Sequence, residues 1–287
     1  MSYIPVDVNV SVRKECKRRR LSPRTAKTYL YCIHQFLNWS KKDLGKMSKK
    51  DVRAFLNYLS DKNLAGNTLN TYHMAIRFMF ENVLKKKMWI DIKYSKVPEK
   101  IQRFLTKEEI RRLLNAISNW KHRLLTEFLY GSGLRVSELI NFKVKNLNLE
   151  KNFGFVRNGK GGKDRIIVLP MIVKEKIKNL IKIESLKEDD FVFVSNRGKK
   201  YHVRSLQKII RNASKKAELK NWKEIHPHTL RHSFATHLIE SGNAINEVQF
   251  ALGHKSPETS MIYVHSNLGN LINIKSPLDD KNDLHKF

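Results

Sequence analysis

Along the first third of the chain, apolar residues return at three- and four-residue steps, the period that puts them on one face of an α-helix. Ala26, Tyr29, Leu30, Ile33 and Leu37 make one such stripe, Val52, Phe55, Leu56 and Leu59 a second, and Leu69, Tyr72, Ile76, Phe80 and Val83 a third. Ser22-Pro23 supplies an N-cap and a first-turn proline ahead of the first stripe. Short amphipathic helices with facing apolar stripes predict a small helical bundle.

From Asp91 to Lys100 the period lapses into polar and basic residues around Pro98, which predicts an interdomain linker over 92–103. Helix resumes at Thr106-Lys107-Glu108-Glu109, a capping box ahead of Ile110, Leu113, Leu114 and Ile117. The domains expected are therefore a helical one over 1–91 and a second over 104–287. The second mixes its periods. Strands are expected over 153–157 and 165–169, joined by the glycine-rich turn Asn158-Gly159-Lys160-Gly161-Gly162-Lys163, and again over 191–194. Gly131 and Gly133 break a helical run and put Arg135 at the start of the next helix. Helical patterns dominate from Ser205 onward. The fold class is mainly α with a small β-sheet (α+β), a helical bundle followed by a mixed domain.

Composition narrows the function classes. With 41% hydrophobic and 29% charged residues, the 287-residue chain can bury real cores, which excludes a disordered or collagen-like protein. Its 56 Lys and Arg against 27 Asp and Glu leave +29, so a polyanion is the expected partner. Residues 1–100 hold 22 basic and 8 acidic side chains (+14), leaving 34 and 19 (+15) for the rest, so both domains are positive. The longest apolar run, from Ile166 to Val173, is eight residues and contains Pro170. A spanning helix needs about twenty, so nucleic acid is favoured over membrane, and a cytoplasmic place at the nucleoid is expected. Cys16 and Cys32 form no CxxC pair and read as buried thiols.

Four clusters hold polar residues that packing alone does not require. Arg135 follows the broken helix, where it is either a solvated cation or one placed to meet an anion. Lys160 sits between glycines that allow close backbone approach to a phosphate, or else on an ordinary solvated hairpin tip. His228 and Arg231, three apart in His226-Pro227-His228-Thr229-Leu230-Arg231-His232, share a helical face. His228 and His232 have metal-ligand spacing, yet no glutamate completes an HExxH motif. Gly253 can end a helix before His254, Ser256-Pro257 can open the next, and Tyr263 lies two turns into it. A helix-turn-helix over 234–252 competes for this region, although its second helix has no basic residue to enter a groove. Together the clusters suit phosphodiester chemistry: cations for the oxygens, an acid and an oxygen nucleophile. No carboxylate pair is evident for a two-metal mechanism.

In order and spacing, GLRVSELI around Arg135, GKGGKDR with Lys160, HPHTLRHSFATHL with His228 and Arg231, LGH with His254, and Tyr263 resemble the tyrosine recombinase (phage integrase and Xer) family. SPRTAKTYLYCIHQFLNWS is similar to that family's helical core-binding domain, so the resemblance covers nearly the whole chain. Twenty-two residues separate Arg231 from His254, too few for the extra helix of integron integrases, which brings the chain nearer to Xer recombinases. The resemblance implies a site-specific DNA recombinase in which Tyr263 is the nucleophile and Lys160 the acid. Arg135 and Arg231 would clamp the phosphate, with His254 bonded to it and His228 taking the tyrosine proton. It implies no cofactor and no metal, a double-stranded DNA site, a homotetramer on two duplexes whose C-terminal tails pack on neighbours, and accessory proteins in some systems. Arg18, Arg19, Arg20, Arg24, Lys27, Lys163 and Arg165 are the expected DNA-backbone contacts.

Overall fold

The computed structural model describes residues 7–86, 95–96, 103–157, 164–195, 198–253 and 276–279. Lys160, Lys163, His254, the Ser256-Pro257 cap, Tyr263 and most of the expected linker lie outside the described residues. The chain divides into two compact units, Met1–Lys100 and Ile101–Phe287.

The first unit is built from α1 (Val8–Arg18), α2 (Pro23–Ser40), α3 (Lys49–Asp61) and α4 (Gly66–Phe78). Ser22 caps α2 as its sequence suggests, accepting from the Thr25 N–H at 3.0 Å with Pro23 in the first turn. Helix α4 runs into a π-helical turn, Met79–Val83, which drives Met79 and Phe80 fully into the core. Phe36 is the hub: its ring meets Phe55 at 5.3 Å and Phe80 at 6.2 Å. Helix α1 was not evident from periodicity, because it buries only Val12 and Cys16, one step of four residues. Cys16 and Cys32 are buried free thiols, and burial pushes Cys32 up to about 11.

The second unit begins with α5 (Lys107–Asn115), whose capping box forms as expected between Thr106 and Glu109. α6 (Trp120–Gly131) and the single turn α7 (Val136–Leu139) follow. An antiparallel sheet comes next, ordered β1 (Leu147–Asn148), β2 (Phe153–Val156), β3 (Arg165–Val168), with Val156 opposite Arg165 at the hairpin mouth. Then come α8 (Met171–Ile183), α9 (Val203–Lys216), α10 (Pro227–Glu240) and α11 (Ile245–Leu252). The third expected strand does not form. Over 191–194 the backbone makes only isolated bridges, Lys143 with Phe191 and Val194 with Lys200. Val192 and Phe193 are both buried, so the apolar run records anchoring in the core and not the alternation of a strand. No described helix is long and apolar enough to cross a membrane.

Part of the tail is also placed. Ser276 Oγ donates to the Gly131 carbonyl at 2.7 Å, and Leu278 is 3% exposed. The Asp279 carboxylate accepts from the Met171 N–H at 2.9 Å and the Ile172 N–H at 3.4 Å, so it caps α8, whose own N-cap residue Pro170 offers no side-chain acceptor. The sequence reading puts the tail on a neighbour; these four described residues pack on the chain's own α6 and α8, and the rest of the tail after Tyr263 lies outside the described residues.

Candidate active site

Two helix C-termini and two arginines build the site. At the end of α6 the chain closes a Schellman turn, with Leu134 N–H donating to the Leu129 carbonyl at 3.2 Å and Gly133 in the left-handed region at φ +55°. Helix α11 ends likewise at Gly253, φ +67°. Both ends leave carbonyls that the helix itself cannot satisfy. Arg231, from α10, donates one terminal nitrogen to the Gly133 carbonyl and the other to the Leu252 carbonyl, the latter at 2.7 Å. It therefore ties the turn before Arg135 to the turn before His254.

Arg135 is the N-cap residue of α7, and Glu138 three positions on holds it twice. Glu138 Oε2 accepts the Arg135 backbone N–H and Oε1 accepts Arg135 Nη1, each at 2.8 Å. Glu138 Oε2 also accepts Arg165 Nη2 at 2.8 Å, and Arg165 Nη1 reaches the Ala251 carbonyl at 2.6 Å. The side chain of Arg135 is 20% exposed against 8% for Arg165 and 5% for Glu138, so Arg135 is the cation of this group that faces outward. Burial acts to raise the Glu138 pKa, but Arg165 and Arg135 outweigh it and leave the carboxyl below its ordinary value. Arg231 is pushed down, first by burial and then by the charges of Arg165 and Arg135. Cations crowded to this degree favour an anion that would separate their charges.

The other expected site residues are placed as follows. His228 is exposed in the first turn of α10, one turn before the buried Arg231. Lys160 belongs to the segment between β2 and β3 and His254 follows Gly253; neither they nor Tyr263 are among the described residues. Among those residues no cluster of three potential metal ligands occurs. Arg18, Arg20, Arg24 and Lys27 are exposed around the α1–α2 corner. Arg18 and Arg19 share Glu15, which their hydrogen bonds hold down at about 2. Arg19 also binds Asn82 Oδ1 and lies over the Phe78 ring, so it fastens α1 to the α4 region. Arg165, expected at a DNA surface, is instead buried within the site, because its two terminal nitrogens meet Glu138 and Ala251.

Gly133 admits no side chain: a Cβ there would sit 2.5 Å from the Phe234 ring. Gly133→Ala should destabilise the protein by about 2–4 kcal/mol, summing overpacking and left-handed strain. A lower denaturant midpoint at unchanged slope would register it; an unchanged midpoint would mean that the turn tolerates a Cβ.

Comparison with known families decides the lineage. Residues 103–269 match the model of the phage integrase family, and residues 10–90 match the phage integrase N-terminal SAM-like domain. The chain belongs to the phage integrase family of tyrosine recombinases. Tyrosine recombinase XerA of Thermococcus kodakarensis is 34% identical over 249 residues, 84% of each chain. Tyrosine recombinase XerC of Escherichia coli O157:H7 is 32% identical over 289 residues, 96% of each. Among solved structures, XerH bound to a palindromic difH substrate after cleavage is similar at TM-score 0.67 and 26% identity, covering 92% of this chain and 82% of that one. A lambda integrase dimer bound to a core site shares the fold at TM-score 0.64 and 21% identity, covering 88% and 92%. The chain is thus a tyrosine recombinase of Xer kinship, and an enzyme. Sequence reasoning left out Glu138. Its signal was there, since a glutamate three residues after Arg135 has capping-box spacing.

Proposed function

We propose that the protein is a site-specific DNA recombinase that cuts and rejoins duplex DNA through a 3′-phosphotyrosyl intermediate and exchanges strands between two duplexes through a Holliday junction. What carries the reading is that Arg231, 96 positions after Arg135, bonds the Gly133 carbonyl two residues before it, while the buried Glu138 carboxylate holds Arg135. The guanidiniums of Arg135, Arg165 and Arg231 against Glu138 give +3 − 1 = +2. A phosphodiester carries one negative charge, and the five-coordinate arrangement formed by an attacking tyrosinate carries two. The pocket's charge therefore suits the transition state better than the ground state, which is the condition for lowering the barrier.

In this mechanism the Tyr263 oxygen attacks phosphorus as its proton passes to His228. The bond to the 5′-oxygen breaks, and Lys160 protonates that oxygen. Arg135, Arg231 and His254 hold the non-bridging oxygens. Tyrosine with an ordinary pKa near 10 is mostly protonated at neutral pH, so the surrounding cations must favour its anion. One phosphoester bond replaces another, so neither ATP nor a metal is needed. Attack on the link by a 5′-hydroxyl of a partner duplex completes the exchange, with four protomers holding two duplexes. The XerH complex with difH and the lambda integrase complex with a core site support DNA as the partner. The exposed Arg18, Arg20, Arg24 and Lys27, with Lys163, would meet backbone phosphates, each neutralised phosphate adding about −0.9 to the slope of log K against log salt.

Two labelled duplexes carrying the DNA that flanks the gene test the reading, with recombinant products expected. Supercoil relaxation without recombinants would reassign the protein to a topoisomerase-like role, and binding without cleavage to a DNA-binding protein. Lys160→Ala should cleave ordinary DNA at least about 10²-fold more slowly, the scale of a lost general acid. A 5′-bridging phosphorothiolate, whose sulfur leaves without a proton, should restore the rate. Lack of restoration would move the acid role to Lys163.

A further inference from the structure

Arg165 begins β3, opposite Val156 at the mouth of the hairpin whose connecting segment holds Lys160. From there its side chain runs inward and joins two other segments of the site. One terminal nitrogen meets the carboxylate that holds Arg135, and the other meets a carbonyl in the last turn of α11, two residues before Gly253. Gly253 is built around it, since a Cβ there would lie 2.3 Å from Arg165 Cδ. The contact is confined at both ends, because Cδ cannot swing aside while the guanidinium stays bonded to Glu138 and Ala251. Arg165 Nε is buried and meets no acceptor among the described residues. The side chain is 8% exposed, and its two terminal nitrogens are engaged by a carboxylate and a carbonyl of the protein itself.

We propose that Arg165 is a positioning residue for strand cleavage: it sets Arg135 through Glu138, and the turn leading to His254 through the Ala251 carbonyl, without touching DNA itself. The proposal rests on the recombinase reading above. Its physical basis is that a planar fork can bridge a carboxylate and a carbonyl at fixed angles, which a flexible point charge cannot. Effective positioning is worth orders of magnitude in rate, and displacement of a reacting group by about 1 Å can cost on the order of 10²-fold.

The test uses the full-length protein on a nicked duplex that traps the covalent product, comparing wild type, Arg165→Met and Arg165→Lys. Arg165→Met should slow single-turnover cleavage about 10²-fold while DNA affinity stays within about two-fold and the salt slope is unchanged. Arg165→Lys should recover only a small part of the rate, and it carries the test if the methionine variant fails to fold. In an Arg135→Ala background the cost of Arg165→Met should shrink, because part of the effect is transmitted through a side chain already gone. A wild-type cleavage rate in Arg165→Met, or a cost that adds in full to that of Arg135→Ala, would overturn the proposal. So would weakened binding with a salt slope reduced by about one, which marks a direct phosphate contact. If wild type itself forms no adduct, the recombinase reading fails and this proposal with it. Normal wild-type trapping with unaffected Arg165 variants overturns the positioning role alone.

Discussion

Tyr263→Phe is expected to abolish covalent capture of DNA while leaving affinity for the site within about two-fold. The substitution removes one oxygen and keeps the ring, so packing is preserved and only the nucleophile is lost. A serine or threonine hydroxyl ionises less readily than a tyrosine and would need a base of its own, with the hydroxyl oxygen in line with the leaving 5′-oxygen. The rate should therefore fall below detection, whereas binding, dominated by backbone phosphate contacts, should persist with its salt slope intact. A variant that still forms an adduct would remove Tyr263 from the mechanism.

Arg231→Ala should slow cleavage by about 10²–10³, comparable to loss of a donor that stabilises developing negative charge. It has a second consequence. The guanidinium satisfies the carbonyls of Gly133 and Leu252, so its removal leaves two buried acceptors unpaired, at about 1–3 kcal/mol each. Arg231→Ala should thus lower both rate and stability, whereas Arg135→Ala should lower mainly the rate, since the Arg135 side chain is more exposed and is held by the Glu138 carboxylate. The pair of variants, compared by single-turnover cleavage and denaturant midpoint, separates the two roles. Equal loss of stability in both would contradict this division, as would near-normal cleavage in the double alanine variant.

Local signals in the sequence carried the helices with wide apolar stripes and the caps at Ser22 and Thr106, because capping and periodicity are decided within a few residues. They also placed Arg135 at a helix start and Gly253 at a helix end. Helix α1 escaped because two buried residues make no stripe, and the expected strand over 191–194 was a buried run read as a ladder. The family resemblance named the catalytic candidates, but it could not say which cations face outward. Arg165 looks like a surface charge in the sequence and is buried in the fold, whereas Arg19 keeps its side chain 42% exposed while bonding within its own unit. The acceptors that take Arg165 inward come from α7 and the end of α11, 27 and 86 positions away, and those of Arg19 include Asn82, 63 positions on. Such partners exist only once the chain has folded.

The central claim is that one tyrosine oxygen becomes joined to a DNA phosphate. The most direct measurement is to trap wild-type protein on a nicked duplex bearing its site, digest the adduct and locate the modified residue by mass spectrometry. The account predicts a 3′-phosphonucleotide on the peptide containing Tyr263, with a free 5′-hydroxyl on the released strand. A link to any other residue, or a 5′-phosphate linkage, would contradict it.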